Sequence, residues 1–118
     1  MSFEVAATPD APAQARASVH SIVGESASTN DILLATSELV SNAVIHGNLT
    51  PRDRILVDVE ATSDLVRVTV THDGPPFDHT ASQPPGRPGG FGLHIVDAVS
   101  KRWDVSHQDG RTESWFEV

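Results

Sequence analysis

Apolar positions recur at helical spacing in the first half of the chain and alternate with polar ones in the second half. Ser2–Ala7 alternates weakly and predicts a short strand. Thr8-Pro9-Asp10 reads as a turn and helix start. From Ala11 to about Val23, the residues Ala15, Val19, Ile22 and Val23 fall at helical spacing, and Gly24 predicts the end of that helix. Ser28-Thr29-Asn30-Asp31 offers a cluster of N-cap candidates. A second helix is predicted from about Asp31 to Ile45. Its apolar residues Ile32, Leu33, Ala35, Leu39, Val40, Ala43 and Val44 cover more than one face, so it should be deeply buried. His46-Gly47-Asn48 ends it.

The period then changes. Ile55, Val57 and Val59 alternate with Leu56, Asp58 and Glu60, which predicts a strand. After a turn at Ser63-Asp64, Leu65–Thr71 alternates again with Val66, Val68 and Val70 on one face, completing an antiparallel hairpin. Residues 72–92 are rich in Gly and Pro and exclude helix and central strand. Leu93 to about Ser100 predicts a short helix. Trp103–Ser106, the turn Gln108-Asp109-Gly110 and Thr112–Val118 predict a closing hairpin. The order β-α-α-β-β-loop-α-β-β implies an α+β fold. It is a two-layer α/β sandwich in one domain over 1–118, a mostly antiparallel sheet with helices on one face.

Composition removes whole classes of function. Hydrophobic residues make up 38% of the 118, enough with 8 Gly for a core that needs no staple. There is no Cys, which excludes disulfides, thiolate zinc sites and cysteine nucleophiles. No apolar run reaches the roughly 20 residues of a membrane span. The N-terminus MSFEVAATPD lacks the basic and apolar regions of a signal peptide, so a cytoplasmic location is expected. The formal net charge is −8, and residues 1–50 carry Glu4, Asp10, Glu25, Asp31 and Glu38 against Arg16 alone. Without a basic cluster, no nucleic-acid partner and no membrane partner are expected. A basic protein partner fits better, and plain solubility explains most of the charges equally well.

Three groups of residues bear on chemistry. Glu38, Asn42 and His46 sit at i, i+4 and i+8 on the second helix, among apolar and small residues. A carboxylate and an amide there need partners. Structural partners are available: Glu38 could pair with Arg54 or Arg67, and His46 could cap the helix end. Gly89-Gly90-Phe91-Gly92 precedes a helix, where free backbone N–H groups and the helix dipole favour an anion. It lacks the Gly-Lys-Ser/Thr of a Walker loop and the leading parallel strand of a dinucleotide fingerprint, and a plain flexible turn reads equally well. His72-Asp73-Gly74-Pro75-Pro76-Phe77-Asp78 follows a strand directly, and Asp-Gly-Pro-Pro is also ordinary turn chemistry.

In this order the three groups resemble the GHKL ATPases. SELVSNAVIHGN (37–48) resembles their N-box, VTVTHDGPPFD (68–78) their first glycine box and GGFGLHIV (89–96) their second. The short length, the GPPFD run and the C-terminal GRTESWFEV are most similar to bacterial anti-sigma factor/serine-protein kinase domains. The resemblance covers essentially the whole chain and implies the Bergerat ATP-binding fold with ATP and Mg²⁺ as cofactors. By that resemblance Asn42 would coordinate the Mg²⁺ and Glu38 would orient or deprotonate the attacking hydroxyl. His46 would lie near the phosphates. Gly74 and the run Gly89, Gly90, Phe91, Gly92 and Leu93 would line the nucleotide, with Gly90 and Gly92 admitting backbone amides to the phosphates. Residues 77–89 would form the ATP lid, short and stiffened by Pro.

One position departs from the pattern. The family's first glycine box reads Asp-x-Gly, its Asp accepting from the adenine amino group. Here His72 stands in that place and Asp73 in the variable slot. A neutral His accepts through one ring nitrogen where a carboxylate offers four lone pairs. Weaker adenine binding, strengthened by His72→Asp, is the expectation. Asp73 would serve only if the strand end slipped by one residue, which turns the side chain to the other face. The implied function is an ATP–Mg²⁺-dependent anti-sigma factor with serine/threonine-protein kinase activity. Its implied partners are a sigma factor and a STAS-type anti-anti-sigma antagonist, and a homodimer is left open. The alternative is a degenerate domain that binds proteins without catalysis and binds ATP weakly or not at all. With no dimerisation and phospho-acceptor helices before the domain, the detached ATP-binding domain of a sensor histidine kinase is the more remote expectation.

Overall fold

The computed structural model of the chain describes residues 1–47, 49–73 and 92–118. The elements are β1 (Ser2–Ala6), α1 (Ala11–Val23), α2 (Thr29–His46), β2 (Arg54–Ala61), β3 (Val66–Asp73), α3 (Gly92–Val99), β4 (Arg102–Gln108) and β5 (Arg111–Glu117). Every element expected from the sequence is present in the expected order. The expected lid, residues 77–89, and the glycines at 74, 89 and 90 lie outside the described residues.

All strand pairings are antiparallel, in the order β1-β2-β3-β5-β4. The register aligns one side chain per strand into rows on the helix side. Val57 pairs with Val70 and Val59 with Val68. Val68 in turn pairs with Phe116, and His72 pairs with Thr112. Ile55, Val57, Val68, Val70 and Phe116 are fully buried beneath Ala11, Ala15 and Val19 of α1, Ile32, Ala35, Leu39, Val40 and Ala43 of α2, and Val96 of α3. The alanines let α1 and α2 lie close to the strands and to each other, so the short side chains determine the layer spacing.

Helix and turn signals account for most boundaries. Gly24 takes φ +69° and its N–H bonds the His20 carbonyl, closing α1. α2 begins two residues earlier than its apolar pattern suggests. Thr29 Oγ1 donates to the Gly24 carbonyl at 2.7 Å and accepts from the Ser26 N–H at 2.8 Å, which ties the first turn to the preceding loop. β4 and β5 join through Asp109 and Gly110, both at positive φ, as a two-residue hairpin loop requires. This tight loop extends both strands beyond the predicted spans.

The other face of the sheet is polar. Glu117 is nearly fully buried there, bonded by the Arg102 Nε at 2.7 Å and 3.7 Å from Arg67. The Arg67 guanidinium also lies 4.0 Å above the Trp115 ring. Arg67 is therefore committed on the face opposite the helices. Glu117→Ala is expected to lower stability in urea denaturation by about 1–2 kcal/mol, below the loss for a fully buried pair because both arginines can reach water. Arg102→Ala should lower it by less than about 1 kcal/mol, since Arg67 remains beside the carboxylate.

Candidate functional site

α2 lies between α1 and α3 and presents a different flank to each. On the α1 side, Ser37 Oγ accepts from Arg16 at 2.7 Å. Glu38, Asn42 and His46 run along the opposite flank. Four residues advance a helix by about 400°, so the stripe drifts about 40° per step. Glu38 lies outermost, near the exposed Leu34 and Ile45. Asn42 and His46 turn progressively inward, and all three are half-buried.

Glu38 has no hydrogen bond or ion pair with any described residue. The structural alternative of pairing with Arg54 or Arg67 is not realised, because both arginines stand on the far side of the sheet. Burial pushes the Glu38 carboxyl above its ordinary value. That combination, a partly desolvated carboxylate without a counter-charge, is the usual preparation of a general base. Nor does His46 cap α2 through its side chain. The cap is the Gly47 N–H, which bonds the Ala43 carbonyl at 3.0 Å.

The end of α2 meets the end of β3. His72 follows Val68 and Val70 on the helix side and is buried at 2% exposure. A Cβ on Gly47 would lie 2.9 Å from His72 Cε1, so the imidazole occupies the space a larger residue at 47 would need. Gly47 was not among the residues singled out in the sequence. Its signal was only that a glycine directly follows the stripe.

Asp73 takes the opposite side. Its carboxylate faces away from the helices and pairs with Arg111 at 3.3 Å. Strand parity thus puts the Asp73 side chain on the face of the sheet opposite His72 and the α2 stripe, as its place in the variable slot implies. Leu93 is half-buried against the core and Gly92 begins α3, so the helix after the second glycine run packs beside α2. Gly74, Gly89, Gly90 and Phe91 lie outside the described residues. Among the described residues no cluster of three or more His, Asp or Glu forms a metal centre. Asn42 as a single protein oxygen still suits Mg²⁺, which keeps waters and takes phosphate oxygens.

The sequence matches the histidine kinase-like ATPase domain over residues 5–117. The chain belongs to this family. Solved structures agree in fold. A Mycobacterium tuberculosis protein comprising RsbU and RsbW domains is 25% identical, with a TM-score of 0.71, over 99% of this chain and 32% of that one. This chain thus spans about a third of that relative. The SiaB–SiaC complex of Pseudomonas aeruginosa matches at 14% identity and TM-score 0.63 over 100% of this chain and 88% of that one. A blue-light activated histidine kinase from Erythrobacter litoralis matches at 19% identity and TM-score 0.62, over 91% and 58%. No curated protein matches the sequence. No described helix of this family member is long and apolar enough to cross a membrane.

Proposed function

We propose that this domain binds ATP with Mg²⁺ and acts as an anti-sigma regulatory factor that phosphorylates a serine or threonine of an anti-anti-sigma antagonist. The observation that carries the reading is Glu38: half-buried, without a partner among the described residues, raised in pKa and in line with Asn42 and His46 on one helix flank. Family membership supports nucleotide binding, and likeness to the RsbW-containing protein supports the regulatory role. The sigma factor and antagonist follow from the resemblance of the GPPFD and GRTESWFEV segments.

The residues divide the work. Asn42 Oδ1 is a neutral oxygen suited to the metal, and His46, one turn on, suits the phosphate end. When bound, Mg²⁺ neutralises phosphate charge. Glu38 accepts the proton of the incoming hydroxyl, and its raised pKa makes it a stronger base than an exposed carboxylate. Positioning supplies most of the rate, because phosphoryl transfer needs little covalent chemistry from the protein.

Calorimetric titration tests the metal–nucleotide part. Wild type should bind ADP or ATP only with Mg²⁺, and Asn42→Ala should weaken that binding by about 10- to 100-fold, the worth of one buried ligand contact of 1.4–2.8 kcal/mol. Equal binding by both proteins removes Asn42 from the site. One observation favours a second reading, a protein-binding domain without catalysis: His72 stands where the family has an acidic base reader. Absence of nucleotide binding with intact partner binding would select it.

A further inference from the structure

Three large apolar side chains besides Met1 are exposed among the described residues, and two of them stand on α2: Leu34 at 42% and Ile45 at 66%. The third, Leu56, lies on the open face of the sheet. A single exposed leucine carries no information, but these two share one line of the helix. They are separated by about three full turns, and Ser41 falls between them on the same line. Around the helix axis Glu38 lies about 40° from Leu34, and Asn42 about 80° in the same sense.

Glu38 therefore stands between two unlike strips. On one side is Asn42, which suits the metal and the phosphates. On the other is the exposed line of Leu34, Ser41 and Ile45. The remaining directions around α2 are closed. Ala35, Leu39, Val40 and Ala43 are buried in the core, and the Ser37 flank is tied to α1 by Arg16. Among the described residues, the open approach to Glu38 opposite Asn42 is across the Leu34–Ile45 line. A polypeptide that presents a hydroxyl to Glu38 from there rests its flanking residues on these two side chains.

We propose that the exposed line of Leu34 and Ile45 is the docking ridge for the phosphoacceptor segment, and that it selects a Ser or Thr flanked by apolar side chains. The proposal rests on the phosphotransfer reading above and names the substrate class of that site. In the transfer the acceptor oxygen bonds the γ-phosphorus of ATP, the bond to the ADP oxygen breaks, and the hydroxyl proton passes to Glu38. The spacing gives the pattern. Along the axis Leu34 precedes Glu38 by about 6 Å and Ile45 follows it by about 10 Å. An extended chain advances about 3.3 Å per residue. The acceptor therefore has an apolar residue about two positions away on one side and about three on the other. Asp31 is exposed in the first turn of α2, about 10 Å before Glu38. Its charge adds a preference for Lys or Arg next to the nearer apolar residue and disfavours an acid there.

The experiment uses the full chain and short synthetic peptides with a single central Ser in a Gly/Gln background. Two peptides carry the Leu and Lys pattern, one in each chain direction, and a control carries Asn in place of both Leu. With radiolabelled ATP and Mg²⁺, kcat/KM for the better Leu peptide should exceed that for the Asn peptide by at least about tenfold. Leu34→Ser and Ile45→Ser should each raise KM for that peptide by about three- to tenfold, with kcat and the affinity for ADP and Mg²⁺ unchanged. A merely structural role for the two side chains would not split KM from kcat in this way. Fluorescence anisotropy of the same peptides with Ala in place of Ser reads docking without transfer, and the same order of peptides and variants is expected. Equal use of the Leu and Asn peptides by wild type overturns the ridge and leaves the nucleotide site intact. So does equal binding of their Ala forms where no transfer is seen, or a wild-type KM in both variants. A parallel calorimetric titration with ADP and Mg²⁺ separates the two readings: failure of wild type to bind overturns the nucleotide reading itself, and the proposal with it.

Discussion

Glu38→Gln is expected to abolish phosphate transfer while leaving nucleotide and partner binding within about twofold of wild type. The amide keeps the shape and the carbonyl of the carboxylate and loses only the base and its charge. Removing a general base slows the chemical step by roughly 10²- to 10⁴-fold. Radiolabel transfer to the antagonist, with pull-down of the partner in parallel, reads both effects. Transfer at the wild-type rate would remove Glu38 as base. No transfer from wild type, with partners still bound, would mark the domain as a pseudokinase.

The same substitution has a signature in stability, independent of any substrate. The folded-state pKa of Glu38 is raised by desolvation above the ordinary 4.5. Folding therefore disfavours the ionised form. The penalty is fully present above the folded pKa, declines as pH falls through it and is gone below the ordinary value. Glu38→Gln removes that penalty. The variant should be at least as stable as wild type at neutral pH, and the two should converge as the pH falls toward 4. Urea denaturation at several pH values measures the difference. A Glu38→Gln protein that is much less stable at neutral pH would show that the carboxylate has a structural partner after all.

Gly47→Ala is expected to damage both the fold and the site. The added methyl would press on the Ala43 carbonyl oxygen and lie 2.9 Å from His72 Cε1 and 3.2 Å from Nδ1. Neither neighbour yields cheaply. The carbonyl is backbone and already bonded to Gly47, and His72 is enclosed between the sheet and α2. Overpacking of this kind costs about 2–3 kcal/mol, a fall of roughly 10 °C in Tm for a domain of this size. Gly24→Ala is the control. Gly24 has φ +69° and ψ −162° with nothing within 4 Å of a Cβ, so backbone strain alone, about 1–3 kcal/mol, is expected. Thermal unfolding followed by circular dichroism compares both with wild type, and a Gly47→Ala protein within about 0.5 kcal/mol of wild type would show that the contacts with Ala43 and His72 carry no weight.

Much of this molecule follows from local pattern. The helical spacing of Ala15 and Val19, the alternation through Val57 and Val70, and the Asp109-Gly110 turn each act within a few residues. They determine element type and order wherever burial on one face agrees with propensity. The alignment of Glu38, Asn42 and His46 is equally local, because four residues make about one helical turn. The separation of His72 from Asp73 is also local, because adjacent strand residues point to opposite faces once the strand exists.

Tertiary structure decided the partners. From the sequence, Arg67 was as available to Glu38 as any cation. The order β3-β5-β4 brought Glu117 and Arg102 beside it on the far face, so Glu38 was left unpaired. Gly47 read as an ordinary helix end until the close of α2 against β3 placed the His72 ring on it. Such facts are invisible along the chain, because hydrogen-bond satisfaction is a property of what surrounds a group in space, and Gly47 and Thr112, both remote from His72 in sequence, are its neighbours in the fold.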